Sequence, residues 1–189
     1  VHGGLSKALF DFANALLGRF KGGMAMAGIL ACAAFGAISG STVATTATIA
    51  QVAYPEMRRI SYSGRLATAA LATGGTMGVL LPPSVTLVIY AILTEQNITK
   101  TFLAAYVPAI LAALGYLVVI AIYGRRHPTH APEARAASAS EVAQSAAGVW
   151  PIALIFVAVF GGIYGGIFTP TEGAAIGATL TFAITLINR

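Results

Sequence analysis

Between Gly22 and Pro55 the chain runs 34 residues without a charge, and basic residues stand at both ends of the run. Arg19 and Lys21 precede it; Arg58, Arg59 and Arg65 follow it. If those flanks share one side of a bilayer, the chain must cross an even number of times, yet two full spans need about 40 apolar residues plus a turn. The second half, "VATTATIAQVAY" from Val43 to Tyr54, would extend only about 18 Å as a helix and carries Thr and Gln among its apolar residues. These constraints predict a re-entrant hairpin over 22–55, in which Met24 to Ile38 descends, Ser39 to Thr42 turns near the midplane, and Val43 to Tyr54 returns. Irregular backbone at that depth needs burial in protein or a wet cavity, so the hydroxyl-rich tip reads as a site. On composition alone a second reading stays open, in which Ser and Thr only let helices pack closely.

Three further uncharged runs, 66–94, 101–124 and 150–171, are each long enough to enter a bilayer core of about 30 Å. A signal peptide does not explain them, because there are several and none sits at the N-terminus behind a basic region. Only 9% of the residues are charged, against about 25% in soluble domains. The expected class is therefore an all-α membrane protein. The net charge of +5 does not point to nucleic acid. The bases flank apolar runs, with Arg125, Arg126 and Arg135 in a polar loop and Arg189 at the end, while Glu95, Lys100 and Glu172 fall on the opposite face; the positive-inside pattern puts the basic loops in the cytoplasm. Val1 in place of Met, and the stop at Arg189 without a tail, read as an internal piece of a longer protein. Cys32, in an apolar run, reads as a small core residue.

Residues 1–21 are expected to form an amphipathic interfacial arm, with Leu5, Leu9, Phe12, Leu16 and Phe20 at helical spacing. A cytoplasmic basic loop is expected at 56–65. The stretch 66–94 is longer than one span needs, and "ATGGTMGVLLPPS" accounts for the excess: Pro82 and Pro83 remove two donors and break the helix near 78–83. Half-helices meeting inside a membrane leave free amides and carbonyls, the groups with which transporters hold sodium ions and anionic substrates. A plain span is expected at 101–124, kinked at most by Pro108, then a cytoplasmic loop of little fixed structure at 125–149. His127 and His130 lie in that loop and His2 near the start, without the partners a metal site needs. Spans follow at 150–168, anchored by Trp150, and at 172–188, opened by a cap in which Glu172 serves the first turn.

Three stretches, "FGAISGSTVATTATIAQVAYPEMRR", "RLATAALATGGTMGVLLPPSVTLVIYAILTEQNITKTFLAAYVPA" and "WPIALIFVAVFGGIYGGIFTPTEGAA", together resemble the large (DctM-like) membrane subunit of tripartite ATP-independent periplasmic transporters. The resemblance covers about 25–188. It implies a non-enzymatic, multi-pass permease of the bacterial inner membrane, importing a carboxylate-containing solute of the C4-dicarboxylate or sugar-acid class with sodium as the coupling ion and no other cofactor. It also implies a small Q-type membrane subunit and a periplasmic substrate-binding protein as partners, and an elevator built from two inverted repeats. This chain would supply the hairpin and broken helix of the first repeat.

Carried over residue by residue, the resemblance places sodium at Ser39, Gly40, Ser41, Thr42, Gly74, Gly75, Thr76 and Gly78. Many family members have Ser where this chain has Thr42, and both keep an oxygen. Substrate contacts fall to Pro82, Pro83, Ser84 and Thr86, at the free amides of the second half-helix. Three rival readings stand beside this one. "AISGS" faintly matches the serine motif of intramembrane proteases, but Ala37 replaces the required Gly and no His lies in an apolar run. A divalent-anion sodium symporter that works without a binding protein would share the architecture. A purely structural membrane subunit would give the hydroxyl tip no ion.

Overall fold

The computed structural model describes residues 5–133 and 137–187, so His2, Arg135 and Arg189 lie outside the described residues, as do the outer ends of the 1–21 and 172–188 segments. Every regular element among them is a helix, and the fold is that of an all-α membrane protein. At its centre stands α2 (Gly23–Ser39), which packs against neighbours on all sides. It is apolar all round, and Ala25, Ala27, Ile29, Ala31 and Cys32 are buried, as expected of a helix with no solvent face. Gly22 and Gly40, both at positive φ, bound it, and Gly40 donates its amide to the Gly36 carbonyl.

The chain reverses at Gly40 into α3 (Thr42–Arg59), whose N-cap Ser41 accepts a hydrogen bond from the Ala44 amide at 3.4 Å. The two helices form a hairpin. Its return arm runs five residues past Tyr54, through Pro55 and an exposed Glu56–Arg59 ion pair, so the segment expected as a loop over 56–65 is reduced to 60–63. Charge ends an apolar run without ending a hydrogen-bonded ladder.

The next segment is broken, in two places. Helix α4 (Gly64–Gly75) stops at Thr76, a short α5 (Met77–Leu80) follows, and α6 (Val85–Leu93) leaves at 42° to the preceding pair. Leu81, immediately before the prolines, has φ −85 and ψ 130, the extended backbone that a following Pro imposes. The break thus falls at 81–84, later than the 78–83 expected.

Helix α7 (Ile98–Arg126) is uninterrupted for 29 residues, about 43 Å. By length and composition it is the one described helix fit to cross a membrane alone; the bent pairs of α4/α5 with α6 and of α8 (Ala139–Gly148) with α9 (Trp150–Tyr164) raise the number to three. Its exposed Val107, Leu111 and Val119 form a surface that water would not favour. Gly124 lies on the Lys21–Gly22 backbone, and the Ser63 amide donates to the His130 carbonyl at 3.0 Å. Lys21, Arg58, Arg59, Arg125 and Arg126 are thereby drawn toward one end of α7, while Glu95 and Lys100 stand at the other.

Three expectations are revised here. First, the 125–149 segment contains α8, started by a capping box in which Ser138 Oγ accepts from the Glu141 amide and Glu141 takes the Ser138 amide. Second, the arm helix α1 (Leu5–Leu17) packs along α2 through Ser6, Leu9, Phe10 and Ala13, a face rotated from the stripe that ends in the exposed Leu16 and Phe20. Third, α9 ends at Tyr164, short of 168, and packs against α10 (Pro170–Ile187) through Ile155, Val159 and Ile163. The turn before α10 is capped by reciprocal bonds between Thr169 and Glu172, the Glu172 carboxylate accepting from the Thr169 amide at 2.7 Å.

Candidate functional site

The hairpin tip meets the broken helix through glycines. A Cβ on Gly36 would fall 2.7 Å from the Cα of Gly78, so α2 and α5 touch backbone to backbone. A Cβ on Gly78 would also lie 2.7 Å from both the Ser41 carbonyl oxygen and Thr45 Oγ1. One on Gly75 would collide with Thr46 Oγ1 and come within 3.4 Å of the Thr42 carbonyl oxygen. Gly40 approaches the Pro83 carbonyl oxygen in the same manner, its own missing Cβ 2.8 Å away. Four oxygens from the first turn of α3 thus converge on a wall without side chains.

Each of those oxygens has a hydrogen-bond partner within the tip. Ser39 Oγ and Thr45 Oγ1 are 2.7 Å apart, Thr46 Oγ1 donates to the Thr42 carbonyl at 2.8 Å, and the Thr45 amide donates to the Ser41 carbonyl at 3.0 Å. Among the described residues no three His, Cys, Asp or Glu side chains gather into a metal-binding group. The donor set at the tip is therefore neutral oxygen, which suits a hard cation of low charge and would not hold a soft transition metal.

Beside the tip lies a cavity of about 330 Å³, lined by Ser39, Gly40, Pro83, Ser84, Phe102 and Thr171 among others. Ser84 is 1% exposed, and its hydroxyl has no hydrogen-bond partner. It occupies the N-cap of α6 without capping it, and Ser84, Val85 and Val88 bring the start of that helix to one wall of the cavity. A buried hydroxyl left unpaired costs about 1–3 kcal/mol, which a ligand able to accept or donate there would recover.

Of the twelve residues singled out from sequence, Ser39, Gly40, Ser41, Thr42, Gly75, Gly78, Pro83 and Ser84 come together around the tip. The other four stand apart. Gly74 packs on Cys32 and Ile29 of α2, and Thr76 turns its hydroxyl to the Thr73 carbonyl at 2.6 Å and to Tyr116 Oη of α7 at 3.3 Å. Pro82 is buried and does not line the tip cavity, and Thr86 is exposed. Sequence reasoning passed over Gly36, Thr45, Thr46 and Thr171. The spacing of Thr42, Thr45 and Thr46, at i, i+3 and i+4, was the available signal that one face of α3 carries hydroxyls.

Against known proteins, residues 1–189 match the family described as the DctM component of tripartite ATP-independent periplasmic transporters. The chain belongs to that family. It is 39% identical over 97% of its length to a C4-dicarboxylate TRAP transporter large permease protein DctM of Pseudomonas aeruginosa, covering 43% of that protein. To the DctM protein of Vibrio cholerae it is 38% identical over 96% of its length, covering 40% of the relative. An isethionate TRAP transporter permease protein DctMQ of Oleidesulfovibrio alaskensis is 37% identical over 93% of the chain and has 28% of its length covered. The chain thus spans less than half the length of these DctM relatives.

Proposed function

We propose that this chain is the part of a TRAP large permease that carries one cation site and one wall of the substrate site in sodium-coupled import of a carboxylate-bearing solute across a bacterial inner membrane. The observation that carries the reading is the convergence of the Ser41 and Thr42 carbonyls with the Thr45 and Thr46 hydroxyls on Gly75 and Gly78. A sodium ion would be held there by neutral oxygens of the tip, and it would supply positive charge without any buried carboxylate. Ser84 and the first amides of α6 would meet the solute's carboxylate, where a helix N-terminus favours negative charge.

Names of the relatives support the rest of the reading. Two are called C4-dicarboxylate permeases, and the DctMQ name suits a small Q-type subunit as a partner. The tripartite family description suits a periplasmic binding protein that delivers the solute. In this reading the hairpin is re-entrant, the basic end of α7 faces the cytoplasm, and hairpin and broken helix move together as an elevator along α7.

Uptake of labelled C4-dicarboxylate into proteoliposomes, with the full-length permease and both partners, tests the proposal. Uptake should require an inward sodium gradient and the binding protein. Thr45→Val, which deletes one of the converging hydroxyls, should raise the sodium concentration for half-maximal uptake about tenfold, as expected for the loss of about 1.4 kcal/mol of coordination. Thr76→Ala should raise it less, because Thr76 Oγ1 is engaged with Thr73 and Tyr116. Unchanged sodium dependence in Thr45→Val would sink the cation site; uptake that proceeds equally without the binding protein would favour a stand-alone symporter.

A further inference from the structure

At the basic end of α7 a second cavity, of about 350 Å³, opens among Arg19, Phe20, Lys21, Met26, Arg125 and Glu133. Glycine builds it. A Cβ on Gly124 would fall 2.8 Å from the Lys21 carbonyl oxygen, so α7 lies directly on the Lys21–Gly22 backbone and brings Arg125 beside Lys21. Arg19, Lys21 and Arg125 form no ion pair among the described residues, and the Arg19 guanidinium rests 4.9 Å from the centroid of the Phe20 ring. Three cations against the single Glu133 carboxylate leave the cavity positive, over a floor that is apolar.

We propose that this cavity binds the phosphodiester headgroup of an anionic phospholipid from the leaflet on the basic side. Its volume, near the lower end of the range for ligand pockets, suits a headgroup without its chains. The chains have a track of their own. Val118 and Ile122, 55% and 48% exposed, lie two turns and one turn before Arg125 on the same face of α7. A free sugar phosphate or nucleotide would satisfy the cations and leave that apolar stripe bare. Basic side chains at a membrane surface attract anionic lipid, and here they are gathered around a concave seat instead of spread along a loop. The inference requires α7 to cross the bilayer; it does not depend on the sodium reading.

Native mass spectrometry of the full-length permease, titrated with phosphatidylglycerol, phosphatidylcholine or inorganic phosphate, decides the matter. A saturable phosphatidylglycerol adduct is expected, tighter than that of phosphatidylcholine. Each cation removed should weaken it about fivefold, so that Arg19→Gln, Lys21→Gln and Arg125→Gln together lose about a hundredfold. Glu133→Gln should tighten it. Arg58→Gln with Arg59→Gln, at the same end but outside the cavity, should leave it unchanged. The proposal is overturned if that outside pair weakens binding as much as the triple change, or if the triple variant melts normally and keeps its affinity. Displacement of the lipid by millimolar inorganic phosphate would also overturn it, because the site would then belong to a free anion. Should the triple variant fail to fold, the sign of the Glu133→Gln effect decides alone.

Discussion

Gly78→Ala is expected to destabilise the full-length permease by about 2 kcal/mol, within the usual range for overpacking, and to abolish most sodium-driven uptake. The added methyl would meet the Ser41 carbonyl and Thr45 Oγ1 at 2.7 Å, and the Ser41 carbonyl carbon at 2.9 Å. Two of those three atoms are backbone at a helix start, so no rotamer change relieves the clash; the hairpin tip must back away from α5. Gly115→Ala is the matched control, because nothing lies within 4 Å of its added Cβ. In that variant the ordinary helix propensity gain, about 1 kcal/mol, should raise the melting temperature. The two variants make the same chemical change with opposite expected signs. If Gly78→Ala melts as high as the parent and transports normally, the tip does not dock on α5 as described.

Ser84→Ala should separate stability from binding. Its hydroxyl is buried and unpaired, so deleting it removes a desolvation cost and should leave the solute-free melting temperature unchanged or higher. If Oγ meets the solute carboxylate, the same change removes a hydrogen bond to a charged group, worth about 1.5–3 kcal/mol. The solute concentration for half-maximal uptake should then rise about tenfold or more, and stabilisation by saturating solute should shrink. Thr86→Val, at an exposed position on the same helix, should do neither. An unchanged solute requirement in Ser84→Ala would remove Ser84 from the substrate wall.

What could be read from the sequence was governed by dielectric, and what was missed was governed by local hydrogen bonding. Charge-free length and basic flanks located the hairpin and its turn at Ser39–Thr42, because those features report where a chain can enter lipid and where it must leave it. They did not locate the end of α3, since Pro55 and Arg59 sit comfortably on a helix that has left the apolar run. Paired prolines announced the break before α6, through a steric effect that acts on the adjacent residue whatever the fold. The second interruption, at Thr76, follows directly on Gly74 and Gly75, poor helix formers that sequence reasoning used for the site and not for the end of a helix. Composition hid α8: an Ala- and Ser-rich stretch reads as loop, although Ser138 and Glu141 spell a capping box at the required spacing. The twelve site positions rested on resemblance. That eight of them converge follows from close approach at Gly40, Gly75 and Gly78, which a one-dimensional pattern of small residues does not reveal.

Cys32, wholly buried on α2 and packed against Gly74, also decides how this region can be watched at work. Its thiol is shielded from aqueous maleimides and methanethiosulfonates by the same contact that seats α4 on the hairpin. A reporter cysteine introduced at the tip, or at the rim of either cavity, would therefore be read against a silent background across these 189 residues. Fluorophores and spin labels can be placed there without first editing the helix on which α1, α3, α4, α5 and α7 are packed.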